Sequence, residues 1–396
     1  MTQHLDAHNT AGVIRSEQPT SPRLRVAVVG CGVGRAHALA YNALPEHFEL
    51  VSICDLDIAK AEALANEMNT NNADTTGTVG FTASFNDLLE RNDIDLIDIC
   101  TPPHLHVPMV TQTIQAGKHA ICEKPIAASL KDVDALIALE RTALEQGQHG
   151  QGKLEQGRHS RIMPIFQYRF GHGLQKLELL KSHGLLGKAH VATVETHWRR
   201  GAWYYIPEWR GKWATELGGG LLGHAIHAHD MLSCIIGGVK SVYARVATRV
   251  NPIEVEDCAA LTLEMHDGSL VSLSMTLGSS AEISRHRFTF ANLVAESNTR
   301  PYTSSGDPWT FTADTPELQQ AIDTALATFE AQPEGYAGQF LRFHQALQTD
   351  AALPVTLQDA RDSLELVTAM YRSARTGQAV QLPITSSDSD YQSWLP

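Results

Sequence analysis

The 396-residue chain has no excess of positive charge, no paired cysteines and no long apolar run, and each absence removes a class of function. Its 31 Lys and Arg stand against 44 Asp and Glu, a net charge of −13. The clustered basic surface that nucleic acid and anionic membranes require is therefore missing. A locally basic pocket for an anionic ligand remains open. Six cysteines, at 31, 54, 100, 122, 234 and 258, form no Cys-x-x-Cys and no zinc-type spacing. Several lie inside apolar runs such as Ile53-Cys54 and Ile121-Cys122, the setting of small buried hydrophobes rather than disulfides or metal ligands. We expect no metal site and a reducing, cytoplasmic location. No apolar stretch approaches the roughly 20 residues needed to span a bilayer. Residues 1–22 are polar, without an apolar signal core, and read as a flexible tail.

What is present suits a folded protein of more than one domain. The chain is 43% hydrophobic and 19% charged, enough apolar matter for a full core, and its length predicts two to three domains at about 150 residues each. Arg23 to Val29 is a β-branched apolar run ending at Gly30-Cys31-Gly32-Val33-Gly34, and Arg35 to Leu44 has a helical pattern. Strand, glycine turn and helix together form a dinucleotide-binding context. Glycine lets the backbone approach a pyrophosphate, and the helix amino end offers free N–H groups to it. The spacing is one residue shorter than the usual G-x-G-x-x-G, with Arg35 in place of the third glycine. A second apolar run ends at Asp55, 21 residues beyond Gly34, where an acidic residue is expected to accept from the ribose hydroxyls. A carboxylate there repels a 2′-phosphate, and Leu56 is not basic, so NAD is favoured over NADP. Asp57 either shares that task or caps the next helix.

Strands are further predicted near Phe81, at Asp95 to Cys100 running into Thr101-Pro102-Pro103, and at His119 to Cys122 running into Glu123-Lys124-Pro125. Alternation with helices implies a doubly wound parallel sheet with ligands at the carboxyl ends of its strands. Thr101, Pro102 and Lys124 all fall at such ends.

These pieces resemble the glucose-fructose oxidoreductase, inositol dehydrogenase and MocA (Gfo/Idh/MocA) oxidoreductases. The likeness is carried by Val28-Val29-Gly30-Cys31-Gly32 with His37, Cys54-Asp55, Thr101-Pro102-Pro103 with His106, Ala116-Gly117-Lys118-His119 and, most specifically, Glu123-Lys124-Pro125. Gly218-Gly219-Gly220 with His227 and Asp230, and Tyr371 to Gly377 before Val380-Gln381-Leu382-Pro383, extend it to about residue 383. The resemblance implies an amino-terminal Rossmann domain and an α+β carboxyl-terminal domain with an open, mainly antiparallel sheet. It also implies a pyridine-nucleotide dehydrogenase acting on a sugar, a polyol or a sugar acid. Lys124 would be the catalytic lysine, and His227 its acid/base partner. Gly30, Gly32, Val33, Gly34, Arg35, Asp55, Thr101, Pro102, His106 and Glu123 would hold the cofactor. Where inositol-dehydrogenase-like members carry an aspartate four residues before the histidine, this chain has Gly223; His224 is the nearest substitute. If the segment after Leu221 is helical, His224, His227 and Asp230 share one face. The family also implies a homodimer or homotetramer through the outer face of the second sheet.

Between Trp198 and Trp213 stand six aromatics and four cations. Aromatic faces stack on sugar rings and cations bond hydroxyls or a carboxylate, so Arg199, Tyr204, Lys212, His224 and Asp230 join Lys124 and His227 as expected substrate contacts. Alternation from Val239 to Thr276, with His266-Asp267-Gly268 as a hairpin, predicts an antiparallel sheet. The expected layout is a tail over 1–22, a nucleotide domain over 23–143, a polar loop insertion over 144–161, a substrate and oligomerisation domain over 162–385, and a tail over 386–396. Two other classes share these motifs: a glycosidase or lyase using NAD within one cycle, and a non-enzymatic sugar-sensing regulator. Loss of Lys124 or His227 would mark the regulator, and both are present.

Overall fold

The structure, a computed structural model, describes residues 22–71, 77–148 and 159–396. The expected amino-terminal tail lies, apart from Pro22, outside the described residues. Six strands, β1 (Leu24–Val29), β2 (Phe48–Cys54), β3 (Gly80–Thr82), β4 (Leu96–Ile99), β5 (His119–Cys122) and β6 (Ile162–Pro164), form a parallel sheet in the order β3-β2-β1-β4-β5-β6. The near-continuous apolar strands β4 and β5 are wholly buried, as parallel strands covered by crossover helices must be. Those helices are α1 (Gly34–Asn42), α2 (Ile58–Asn71), α3 (Phe85–Glu90), α4 (His106–Gln115) and α5 (Leu130–Gln148). Strand order reverses between β1 and β4, which opens a crevice at their carboxyl ends.

Two boundaries differ from expectation. Strand β6 pairs with β5, so the first sheet reaches beyond residue 143. Helix α5 runs to Gln148, so the start of the 144–161 segment is helical, since neither proline nor glycine interrupts it before Gly147. Residues 149–158 of that segment lie outside the described residues. Strand β6 ends at Pro164, and Gln167–Phe170 forms a single 3₁₀ turn.

The second half follows α6 (His172–Ser182) with β7 (Ala189–Arg199), α7 (Trp213–Glu216), α8 (Gly220–Gly223), α9 (Ile226–Ile236), β8 (Val239–Ala247), β9 (Cys258–Met265), β10 (Leu270–Thr276), β11 (Gly278–Phe290), β12 (Leu293–Glu296) and β13 (Thr310–Ala313). Helices α10 (Pro316–Leu326), α11 (Gly335–Thr349) and α12 (Leu357–Thr376) and strand β14 (Val380–Gln381) complete it. The eight strands lie in the order β13-β12-β11-β7-β10-β9-β8-β14, antiparallel except for β7 beside β10. The expected hairpin joins β9 to β10, placing Leu261 opposite Leu273 and Leu263 opposite Val271 on the buried face. The polar stretch 292–314 holds β12 and β13.

The last eleven residues are no loose tail. Trp394 is fully buried, and its indole N–H donates to the Leu217 carbonyl at 2.7 Å. Arg372 pairs with Asp388 at 2.9 Å, and Arg375 pairs with Asp390 and donates to the Trp394 carbonyl. The polar composition of this end hid one buried tryptophan, whose burial acts together with these ion pairs and hydrogen bonds against the entropy of ordering the strap.

Candidate active site

One cavity of about 1250 Å³ runs from the glycine turn to the start of α9 and the Trp198–Trp213 segment. At Gly30, φ is +97°, and a β-carbon would lie 2.6 Å from the Cys100 carbonyl oxygen; only glycine fits. A β-carbon at Gly32 would meet nothing within 4 Å, so the cavity keeps open space beside the amino end of α1, where Val33 also lines it. Asp55 is tied to this turn: one carboxylate oxygen accepts from the Cys31 N–H at 2.8 Å, the other from the Asp57 N–H at 3.0 Å. Asp57 caps α2 by accepting from Ala59 at 3.2 Å.

Three expected cofactor residues, Gly34, Arg35 and His106, stand off the cavity. Gly34 faces the sheet, where a β-carbon would press within 3.0 Å of Val28, so it serves helix–sheet packing. Arg35 is exposed and paired with Glu67, because one helical step past Gly34 turns its side chain to solvent. Thr101 and Pro102 form a wall. His106 stands buried behind it, its ring nitrogens 2.7 Å from the Pro125 and Thr101 carbonyls, and so joins the loops after β4 and β5.

Beneath Lys124 lies a buried polar chain. Glu123 accepts from the Lys124 backbone N–H at 3.0 Å and from the Tyr336 hydroxyl at 3.1 Å. Its carboxylate also meets His37 Nε2 at 3.2 Å, while His37 Nδ1 meets Asp98 at 2.8 Å. Burial alone would discharge His37, but the Asp98 carboxylate outweighs it and holds the imidazolium well above the ordinary histidine range. Burial likewise opposes the Glu123 charge; the hydrogen bond and charge of His37 overcome it and pull the carboxyl down to about 2. His37 entered the sequence reading only as part of a motif, and its two acidic partners lie 61 and 86 residues away.

The Lys124–Pro125 bond is cis. Lys124 Nζ donates to the Gly223 carbonyl at 2.8 Å, and burial lowers its pKa, with Glu123 partly offsetting that. A β-carbon at Gly223 would meet nothing within 4 Å, so the space of the aspartate found in inositol-dehydrogenase-like sequences is open cavity. His227 lines the same cavity with its ring stacked on Tyr168 at 4.6 Å. Burial first, then the nearby Lys124, brings its pKa down to about 3, so the imidazole is neutral. Its Nδ1 has no hydrogen-bond partner among the described residues.

The expected shared helical face does not form. The helix breaks between α8 and α9, and His224 (φ −129°) sits in the break, still lining the cavity. Asp230 points away, where both its oxygens pair with Arg169, at 2.5 and 2.7 Å. That bidentate buried pair leaves no free carboxylate for a substrate.

In the aromatic segment Tyr204 lines the cavity, but Arg199 and Lys212 do not. Side chains alternate along β7: Trp198 is buried, Arg199 turns to solvent, and Arg200 turns in at 7% exposure. Lys212 is exposed at the start of α7, whereas Arg210 lies over Tyr204 at 3.9 Å and bonds Glu216 at 3.2 Å. The period of two, applied from Trp198, would have selected Arg200. Tyr168, Tyr302 and Tyr336 carry no local signal and arrive from distant elements.

A parallel sheet with a glycine turn, a lysine and a histidine meeting over one cavity, and a second sheet closing it define a two-domain pyridine-nucleotide oxidoreductase. Residues 24–149 match the NAD-binding Rossmann-fold domain of the Gfo/Idh/MocA oxidoreductases and residues 179–382 match their C-terminal alpha/beta domain. The chain belongs to this family, and is an enzyme of the dehydrogenase class that acts on CH–OH groups. It is 26% identical to the uncharacterized oxidoreductase YrbE of Bacillus subtilis, over 90% of this chain and 96% of that one. It is 25% identical to D-glucoside 3-dehydrogenase of Escherichia coli, over 92% and 99%. The crystal structure of the WlbA dehydrogenase from Bordetella pertussis, in complex with NADH and UDP-GlcNAcA, superposes with a TM-score of 0.73 at 25% identity, covering 92% of this chain and all of that one. Among the described residues, no helix is long and apolar enough to cross a membrane.

Proposed function

We propose that the enzyme is an NAD-dependent dehydrogenase of a sugar or sugar-derived polyol. It moves a hydride between the nicotinamide and a CH–OH or carbonyl carbon. One observation carries this reading: a single cavity holds a pyrophosphate-type glycine turn with its acidic partner, and also Lys124, His227 and a wall of aromatics and cations. The open face of Gly32, the N–H groups at the start of α1 and the anchored Asp55 carboxylate fit a dinucleotide. An exposed Leu56 beside Asp55 offers nothing to a 2′-phosphate, which supports NAD over NADP. The names of the glucoside and UDP-sugar relatives support a sugar-like substrate.

The bound nicotinamide supplies the hydride acceptor or donor. The Lys124 ammonium, held by Gly223 and already lowered in pKa, bonds the reacting oxygen and stabilises developing alkoxide charge. Neutral His227, with its unpartnered Nδ1, takes or returns the hydroxyl proton. Glu123 and His37 fix the Lys124 backbone beneath. We further propose a homo-oligomer through the outer face of the second sheet, where Val191, Tyr243 and Leu270 stand exposed.

Lys124→Ala tests the assignment. Turnover on the best sugar or polyol, followed by NADH absorbance, is expected to fall by about 10²–10⁴-fold, with the calorimetric Kd for NAD(H) nearly unchanged. Near-normal turnover would overturn it.

A further inference from the structure

Arg200 follows β7, is 7% exposed and lines the cavity. Its guanidinium lies against three rings, Trp198 at 5.2 Å, Tyr204 at 5.0 Å and Tyr302 at 5.3 Å. Rings satisfy the face of a guanidinium but not its in-plane N–H donors. Nη1 donates to the Arg199 carbonyl at 2.8 Å and reaches a Glu282 oxygen only at 3.5 Å. That same oxygen already accepts from the Arg199 N–H at 2.7 Å. Nε is buried and has no acceptor among the described residues. A native buried donor without a partner calls for an explanation, and a ligand that supplies the acceptor is one.

The neighbouring charges agree. Arg210 is committed to Glu216, whose other oxygen accepts from the Gly211 N–H at 2.5 Å. Glu216 is therefore matched, and Glu123 offsets the Lys124 charge, while Arg200 has only the distant, shared Glu282 oxygen. His224, 5.3 Å from Trp198 and 5.5 Å from Tyr204, is held neutral by burial and then by Arg200, Lys124 and Arg210. This end of the cavity is cationic, in a chain of net charge −13.

We infer that the substrate carries an anionic group on the sugar itself, a carboxylate of the uronic or aldonic acid type, bound edge-on by Arg200. The inference rests on the dehydrogenase reading and narrows it. Trp198 and Tyr204 pack on Arg200, and His224 packs on both rings and follows Gly223, whose carbonyl holds Lys124. One continuous cluster thus serves both the anion and the reacting carbon, which suits a charge on the oxidised sugar better than one on a remote diphosphate.

The test uses matched pairs (glucose with glucuronate, galactose with galacturonate, and glucose 6-phosphate) and NAD, with the native enzyme, Arg200→Met and Arg200→Lys. The acidic partner is expected to lead in kcat/KM by about 10–100-fold, the range of a charge-assisted hydrogen bond. Arg200→Met removes that lead through KM, with the Kd for NADH unchanged, and Arg200→Lys restores part of it. Equal use of neutral and acidic sugars, or a lead that survives Arg200→Met, overturns the inference while the dehydrogenase reading stands. Preference for the phosphate overturns the carboxylate assignment. If none of these sugars is oxidised, calorimetric titration of glucuronate against glucose into the NADH complex decides the anion site, and equal affinities overturn it.

Discussion

Gly223 shows how one residue sets the proton chemistry of this site. Its carbonyl is the Lys124 partner, and the volume where a side chain would stand is empty. Gly223→Asp is therefore expected to fold, because nothing obstructs it. A carboxylate beside Lys124 favours the ammonium form and raises the lysine pKa, which burial lowers in the native chain. Turnover needs the Lys124 ammonium, so the basic limb of the pH profile for alcohol oxidation should move to higher pH. A profile that does not move would show that Lys124 does not control that limb. At the same scale His37 is a cation held between two buried carboxylates, and such a triad persists only because each member is matched. Its role was not readable from the motif, since a lone buried histidine gives no sign of which acids will face it.

Among the elements, the break between α8 and α9 and the alternation of β7 decide which side chains reach the substrate. A continuous helix would have grouped His224, His227 and Asp230. The break keeps the two histidines on the cavity and turns Asp230 to Arg169. The strap after α12 acts on the same region, since Trp394 holds the carbonyl of Leu217, a residue with φ +67° that starts the glycine run. Trp394→Ala is expected to cost about 3–5 kcal/mol, as large buried aromatics do, read as a lower urea midpoint. An unchanged midpoint would mean that the strap is ornamental to stability.

For the whole molecule, the cavity exists because α11 locks the two halves together. Phe340 stacks on Tyr41 of α1 at 4.2 Å, and Tyr336 reaches Glu123 at 3.1 Å, so residues 213 positions apart meet at one cavity wall. The proposed oligomer belongs to this scale as well. Val191 and Leu270 are register neighbours on the exposed face of the second sheet, and Leu270→Glu is expected to shift the mass measured by light scattering toward the monomer with folding intact. A native chain that already measures as a monomer would refute the interface.

Strand and helix periodicity, the glycine turn, Asp55 and the Glu123-Lys124-Pro125 corner were legible because each is a local pattern set by backbone geometry and burial. They suffice for the class of fold, the family and the place of the lysine. Tertiary structure alone decided that Arg200 Nε is left without an acceptor among the described residues, that Asp230 is spent on Arg169, that Gly34 packs the sheet while Arg35 meets solvent, and that the carboxyl end is docked. The physical reason is common to all four. Whether a polar side chain is satisfied, or left with an idle donor for a ligand, depends on partners brought from distant parts of the chain.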